Sequence, residues 1–308
     1  MSAITSRANS KIKLVRSLRQ RKQREATGLI LVEGIHPIGE ALAAADARSG
    51  QTSVHSLYYA AELLNSDYAW ELIQEQERRG KPCYSVSGEV FASIAEKENP
   101  QGLLAVVRQR ETRLAELETS DFPWGVALLA PQDPGNIGSI MRTVDAVGAA
   151  GMILLESSAD PYHPSAVRAS MGSLFWHALA RASLAEFKAW VQTHQVHVYG
   201  TSARGSLEYR SVGAYQLPLI LLMGSEREGL SSEALEICTH LIRLPMQGRV
   251  TSLNLAVASG VMLYEIQASL RETLPRRAGE RDAERPAGVG DPLGGENKAC
   301  GTGGIGDG

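Results

Sequence analysis

The sequence predicts an α/β fold in two parts, a small α/β layer followed by a larger domain built on a mostly parallel sheet. Two observations carry that expectation. Over the first hundred or so residues helical and strand-like patterns alternate, and beyond residue 121 short runs that are apolar at every position are separated by helical segments. Apolar runs without alternation fit strands covered on both faces, the habit of parallel sheets. Between the two parts lies QRETRLAELETSD, residues 109–121, which is charged and has no β-branched run.

Taken in order, residues 1–108 read as a basic helix at 9–25, a strand at 29–32, a helix at 37–47, a strand at 54–59, a helix at 67–79 and the strand-like GLLAVV at 102–107. Residues 109–121 read as a linker. The second domain, 122–274, has strands at 126–130, 152–155, 196–199, 219–223 and 241–244. From 275 to 308 the chain is rich in Gly and charge and nearly free of bulky apolar residues, so disorder is expected there. No internal repeat is visible.

At 308 residues and 44% hydrophobic composition the chain suits a globular protein with two cores, and no apolar run reaches the length of a membrane span. The net charge of −3 conceals an asymmetry: Arg7, Lys11, Lys13, Arg16, Arg19, Arg21, Lys22 and Arg24 all precede the first acidic residue, Glu25. Such an arm reads as a polyanion contact, as a solvated helix face or as a targeting segment. Against targeting, it runs without a Gly or Pro break into GLILVEG at 28–34. Cys83, Cys238 and Cys300 show no paired spacing, and His163 in DPYHP reads as a turn residue rather than a ligand. A cytoplasmic protein without a metal is expected.

Three loops that follow strands of the second domain hold the candidate chemistry, since open α/β sheets bind ligands beyond the carboxyl ends of their strands. The first is PQDPGNIGSIMRT at 131–143, where Asn136 and Gly138 begin a helix and Arg142 follows about a turn and a half later. Arg142 reads either as a bidentate phosphate grip or as an ordinary surface Arg. The second is MGSEREGLSSEAL at 223–235, where capping explains the serines but not Glu226 or the two glycines. The third is LPMQGRVTSLNLAVASGVMLYE at 244–265, a polar loop containing Gly248, Ser252 and Asn254 and leading into a helix of small residues. No GxGxxG follows the first strand, and no Walker loop or GxSxG is present. The residues alone therefore give a polar-ligand site made of three loops beside a basic arm.

In this order NIGSIMRT, LLMGSEREGLS and LPMQGRVTSLNLAVASGVMLYE resemble the three motifs of the SpoU/TrmH family of RNA ribose 2′-O-methyltransferases. DPYHPSAVRASMG at 160–172 also resembles that family, and the stretch from Ile4 to Gly34 resembles the substrate-binding domain preceding many of its catalytic domains. The resemblance implies a trefoil-knotted catalytic domain, a homodimer, S-adenosylmethionine as cofactor and RNA as substrate, with ribosomal RNA favoured over tRNA and a guanosine in 23S rRNA as the target. It implies Asn136, Arg142, Glu226, Ser252 and Asn254 as catalytic residues, and Gly224, Leu244 and Leu253, with Met223, Met246 and Gly200 nearby, as cofactor contacts. Arg168 joins the arm as an RNA contact. Asp133 stands where the family often has Asn, and Thr251 where it often has an acidic residue. The rival readings are a tRNA methyltransferase, a catalytically silent RNA binder on the same fold, and base methylation on a related knotted fold.

Overall fold

The first sheet is short and mixed, and it belongs to a computed structural model that describes residues 3–47, 53–109 and 112–273. The tail at 275–308, with Cys300, lies outside the described residues. The first part runs α1 (Ser10–Ser17), α2 (Arg21–Thr27), β1 (Leu29–Glu33), α3 (Ile35–Ala47), β2 (Ser53–Tyr59), α4 (Asp67–Arg78), β3 (Cys83–Ser85), α5 (Gly88–Ile94) and β4 (Leu103–Arg108). Its sheet order is β1-β4-β2-β3, with β4 antiparallel to both neighbours and β3 parallel to β2.

The basic helix expected over 9–25 is broken in two. Asn9 caps α1 through its side chain on Lys11 N, the helix ends at Leu18, and α2 restarts at Arg21 before closing on Gly28 at φ 64°. The break is held by Arg24, whose Nη1 donates to the carbonyls of Leu18 and Arg19 at 2.8 and 2.7 Å. Those carbonyls would otherwise be unpaired at the helix end.

The second part runs β5 (Thr112–Arg113), β6 (Trp124–Leu129), α6 (Pro134–Val147), β7 (Gly151–Leu155), α7 (Pro164–Ala169), β8 (Ala178–Ala182), α8 (Leu184–His194), β9 (His197–Thr201), β10 (Leu207–Glu208), β11 (Leu219–Met223), α9 (Ser232–Ile237), β12 (His240–Arg243) and α10 (Leu255–Thr273). The eight strands order as β10-β12-β9-β11-β6-β7-β8-β5, and every pairing among them is parallel. All carboxyl ends therefore open on one edge, as the uniformly apolar strands predict. The stretch expected as a linker is instead built into this sheet: Thr112 pairs with Ala180, and Leu114 and Leu117 are buried against Trp190 and Phe122. Its leucines and the Trp190 indole, which donates to Leu117 O at 2.8 Å, outweigh its charge.

A single apolar cluster joins the two sheets, running from Ile30, Val32 and Ile38 through Val167 and Phe175 to Ile137 and Val126. Residues 1–273 accordingly form one compact unit. Helix α6 can lie close on α7 because Gly138 has no side chain; a Cβ there would run into the Ala166 carbonyl and come within 2.9 Å of Ala169 Cβ. That close approach fixes where α6 begins, and so where Asn136 points.

Candidate active site

Three loops meet at the carboxyl edge. Asp133 caps α6, its carboxylate accepting from Gly135 N at 2.8 Å, with Pro134 in the first turn. Just before it the chain turns sharply at Ala130, whose φ of 46° is left-handed, and Gln132 Nε2 bonds back to Ala130 O at 2.8 Å. A non-Gly residue held in that region is sustained only by its surroundings. Asn136, 7% exposed, then sits at the centre of a relay. Its Nδ2 donates to Glu226 Oε1 at 3.1 Å, and its Oδ1 accepts from Asn254 Nδ2 at 3.0 Å. Glu226 is held from a second side, accepting from Gln132 N at 3.3 Å. Asn254 Oδ1 meanwhile accepts from Ala256 N at 2.9 Å and Val257 N at 3.3 Å, so its amide is oriented by the start of α10.

Asn136, Glu226 and Asn254, far apart in sequence, are thus joined into one chain of hydrogen bonds. Ser252 and Arg142 are not part of it. Arg142 stands six residues beyond Asn136 on α6, about 240° around the helix, where it is exposed and has no partner among the described residues. Glu226 therefore braces Gln132 and Asn136 rather than orienting Arg142. Gln132 is the residue that sequence reasoning passed over; its position in the first loop, four residues before Asn136, was the available signal.

The expected cofactor positions converge as well. Gly200, Met223 and Leu244 lie at or just past the carboxyl ends of the adjacent strands β9, β11 and β12, with Gly200 in register with Leu222 and Leu241. The two glycines owe their bareness to packing: a Cβ on Gly224 would strike the Gly229 backbone, and one on Gly200 would strike Cys238 Sγ. Between Pro245 and Leu253, by contrast, no backbone group makes a hydrogen bond among the described residues, and Leu253 is 39% exposed. A run of free N–H and C=O groups beside apolar Leu244, Met246 and Leu253 suits a ligand with an adenine edge, a ribose and an amino-acid end.

The basic arm divides. Lys13 and Lys22 are exposed with no partner among the described residues; Lys11 lies 4.9 Å over the Tyr84 ring. Arg7 pairs with Glu89 at 2.9 Å, Arg21 with Glu25 at 2.7 Å, and Arg168 faces Glu96 at 3.8 Å, all at the surface. Arg16 Nη1 bonds to Arg7 O at 3.5 Å and Arg19 Nη2 to Ala95 O at 2.7 Å. Arg24, expected on RNA, is 1% exposed and bonded to Asp160, so it has no free donor face for a phosphate. Burial decides that correction.

Among the described residues no group of three or more His, Cys, Asp or Glu is placed to hold a metal, and no helix is long and apolar enough to cross a membrane. His163 caps α7, its Nδ1 accepting from Ser165 N at 3.2 Å. Burial pushes the Cys83 and Cys238 thiols up to about 11.

Comparison with known proteins identifies the family. The model of the SpoU rRNA Methylase family matches residues 123–264, and that of the MRM3-like substrate binding domain matches residues 9–105. The chain belongs to the SpoU methylase family. It is 30% identical to the 23S rRNA (guanosine(2553)-2′-O)-methyltransferase RlmP of Bacillus subtilis, over 87% of this chain and 100% of that one. It is 32% identical to a 23S rRNA (uridine(2479)-2′-O)-methyltransferase of Streptomyces viridochromogenes, over 80% of this chain and 85% of that one. Among solved structures, an AdoMet-bound rRNA methyltransferase from Sinorhizobium meliloti superimposes with a TM-score of 0.78 at 34% identity, covering 89% of this chain and 99% of its own.

Proposed function

We propose that the protein transfers a methyl group from S-adenosylmethionine to a ribose 2′-hydroxyl of RNA, with a guanosine of 23S rRNA as the favoured target. The observation that carries this is the Glu226–Asn136–Asn254 relay, which brings all three family motifs to the carboxyl edge of a parallel sheet. The backbone at 223–224 and 244–246, with Gly200 and Leu253, would hold the cofactor, which would supply an electrophilic methyl on a sulfonium.

Every other task falls to side chains. Attack by a ribose alkoxide on the methyl carbon of a sulfonium would form the O–C bond, break the C–S bond, release a neutral thioether and cancel charge. A site that excludes water and fixes an in-line approach therefore favours it. A guanidinium with a pKa above about 12 is a poor base. Arg142 is therefore assigned to an RNA phosphate, where it also stabilises developing alkoxide while the proton leaves to phosphate or water. Asn136 and Asn254 each keep one amide hydrogen free of the relay and are assigned to the ribose, with Ser252 on the rim of the same loop. Glu226 fixes the turn carrying Gln132.

The first part, 1–108, is assigned to binding RNA through Lys11, Lys13 and Lys22 with the surface arginines. The C-terminal passage is inferred to be a trefoil knot, an exception to the usual avoidance of threaded chains. In support, β12 lies between β9 and β10, and α10 then meets the 202–218 segment again through Arg210 and Glu265 at 3.7 Å and through Tyr215 N and Ser269 Oγ at 3.3 Å. A homodimer is supported by the exposed apolar row Val250, Leu253, Val257, Val261 and Tyr264 leading into and along α10. A cytoplasmic enzyme fits an RNA substrate.

The test is methylation of total RNA with labelled cofactor, followed by digestion and mass identification of the labelled nucleoside and fragment. The reading expects 2′-O-methylguanosine in a 23S fragment. Label on a base, or no transfer to any RNA, contradicts it; label in tRNA moves the substrate but keeps the chemistry.

A further inference from the structure

The first sheet and its basic helices meet the second part through a buried ion pair. Arg24 Nε lies 2.9 Å from Asp160 Oδ2, which its Nη2 also meets, and the two side chains are 1% and 8% exposed. The second Asp160 oxygen accepts from Tyr162 N at 2.9 Å and from Arg181 Nη2 at 3.4 Å. One carboxylate thus gathers the α1–α2 break, its own turn and an arginine of β8. Through Nη1, Arg24 also ties down the Leu18 and Arg19 carbonyls in the break between α1 and α2.

The pair is not isolated from the chemistry. The residue before Asp160 donates to the first loop, Ala159 N to Pro131 O at 2.8 Å, and the residue after Pro131 donates to Glu226. A continuous series of bonds therefore leads from α1 and α2, through Asp160, Ala159, Pro131, Gln132 and Glu226, to Asn136 and Asn254. An open groove of about 820 Å³ follows the same course from Gln132 past Ser158 and Arg181 to Arg21.

We infer that Arg24 and Asp160 are positioning residues for methyl transfer: they lock the basic helices in register with the catalytic loop, so that RNA held by α1 and α2 presents its target ribose at Asn136 and Asn254. This rests on the reading of the protein as an RNA methyltransferase. A surface ion pair would be too weak and too mobile for such a task. A buried, doubly bonded guanidinium has one geometry, and misplacing bound reactants by about 1 Å is enough to lower turnover by about 10²-fold.

The variants are Asp160→Asn and the double variant Arg24→Met with Asp160→Asn. The second leaves no unpaired buried charge and so guards against simple unfolding. Three quantities are compared with wild type: S-adenosylmethionine affinity by calorimetry, and kcat and KM on two RNAs. One RNA is a folded rRNA fragment containing the target nucleotide; the other is a short oligonucleotide centred on it. The inference expects unchanged cofactor affinity and a kcat on the folded fragment lowered by about 10-fold or more with KM nearly constant. Turnover on the oligonucleotide should stay the same. Equal losses on both RNAs, or no loss on either, overturn it. If wild type methylates no RNA, the proposed function is what fails. Hydrogen exchange then decides the latch: residues 18–28 and 156–163 should quicken together in the double variant, and independent behaviour of the two segments overturns it.

Discussion

Two loops at the same edge of the sheet are built in opposite ways. The 224–231 turn after β11 is closed on itself: Ser225 N and Gly229 N each bond to the other residue's carbonyl, at 3.0 and 3.1 Å, and Glu228 N bonds to Ser225 Oγ at 3.1 Å. The 244–254 loop after β12 leaves its backbone groups unpaired between Pro245 and Leu253 among the described residues, and only its last residue, Asn254, is anchored. The closed turn is a fixed bracket that carries Glu226 to a set place. The open loop leaves its polar backbone unspent on the protein. Residues 247–253 are exposed, so water meets these groups at little cost and they stay available to a ligand. The groups of the closed turn are already paired with one another.

The sharpest way to break this contrast is at the residue neither loop holds. Arg142→Ala should leave S-adenosylmethionine affinity unchanged by calorimetry while methyl transfer falls by on the order of 10²-fold or more; retained turnover contradicts the clamp role. Asn136→Ala removes the bridge between bracket and receptor. Turnover should drop by about 10-fold or more. Glu226 and Asn254 are exposed, so water can replace the partner each loses, and chemical denaturation should show only about 0.5–1.5 kcal/mol less stability. A loss confined to activity would mean the relay is not part of the fold.

Gly224→Val tests the bracket alone. Its side chain would meet the Gly229 backbone, so the turn must open, and a destabilisation of about 1–3 kcal/mol is expected with weakened cofactor binding. Normal affinity would show that the closed turn is dispensable. The smallest effect concerns the thiols. With pKa values raised by burial to about 11, Cys83 and Cys238 are protonated at pH 8 and should react slowly with iodoacetamide. The sign follows from the proton: the folded state holds it more tightly, so this contribution to stability is complete below the unfolded thiol value of about 8.5 and fades as pH rises toward 11. Rapid labelling at pH 8, followed by mass spectrometry, would contradict the burial.

Much of this was legible in the sequence because it depends on local patterns. The uniformly apolar strands 152–155 and 219–223 announced a parallel sheet, and the order of three loops announced the edge where they meet. What escaped depends on distant partners. Arg24 looks like its neighbours in a basic arm, and only Asp160, 136 residues away, turns it from a surface cation into a buried lock. The 112–117 stretch looks like a charged linker until Leu114 and Leu117 find Trp190. Strand β8, ALARA, has too little bulk to announce itself and is a strand because β7 and β5 flank it. The split between α1 and α2 likewise has no Pro or Gly to mark it.

The most direct test of the central claim is hydrogen exchange with and without S-adenosylmethionine. If the open loop is the receptor and the closed turn the bracket, amides from Met246 to Leu253 should slow strongly on cofactor addition, while those of 225–229 change little. Protection concentrated elsewhere, such as along the cleft of about 760 Å³ lined by Tyr162, Arg181 and Trp190, with none in 246–253, would contradict the account.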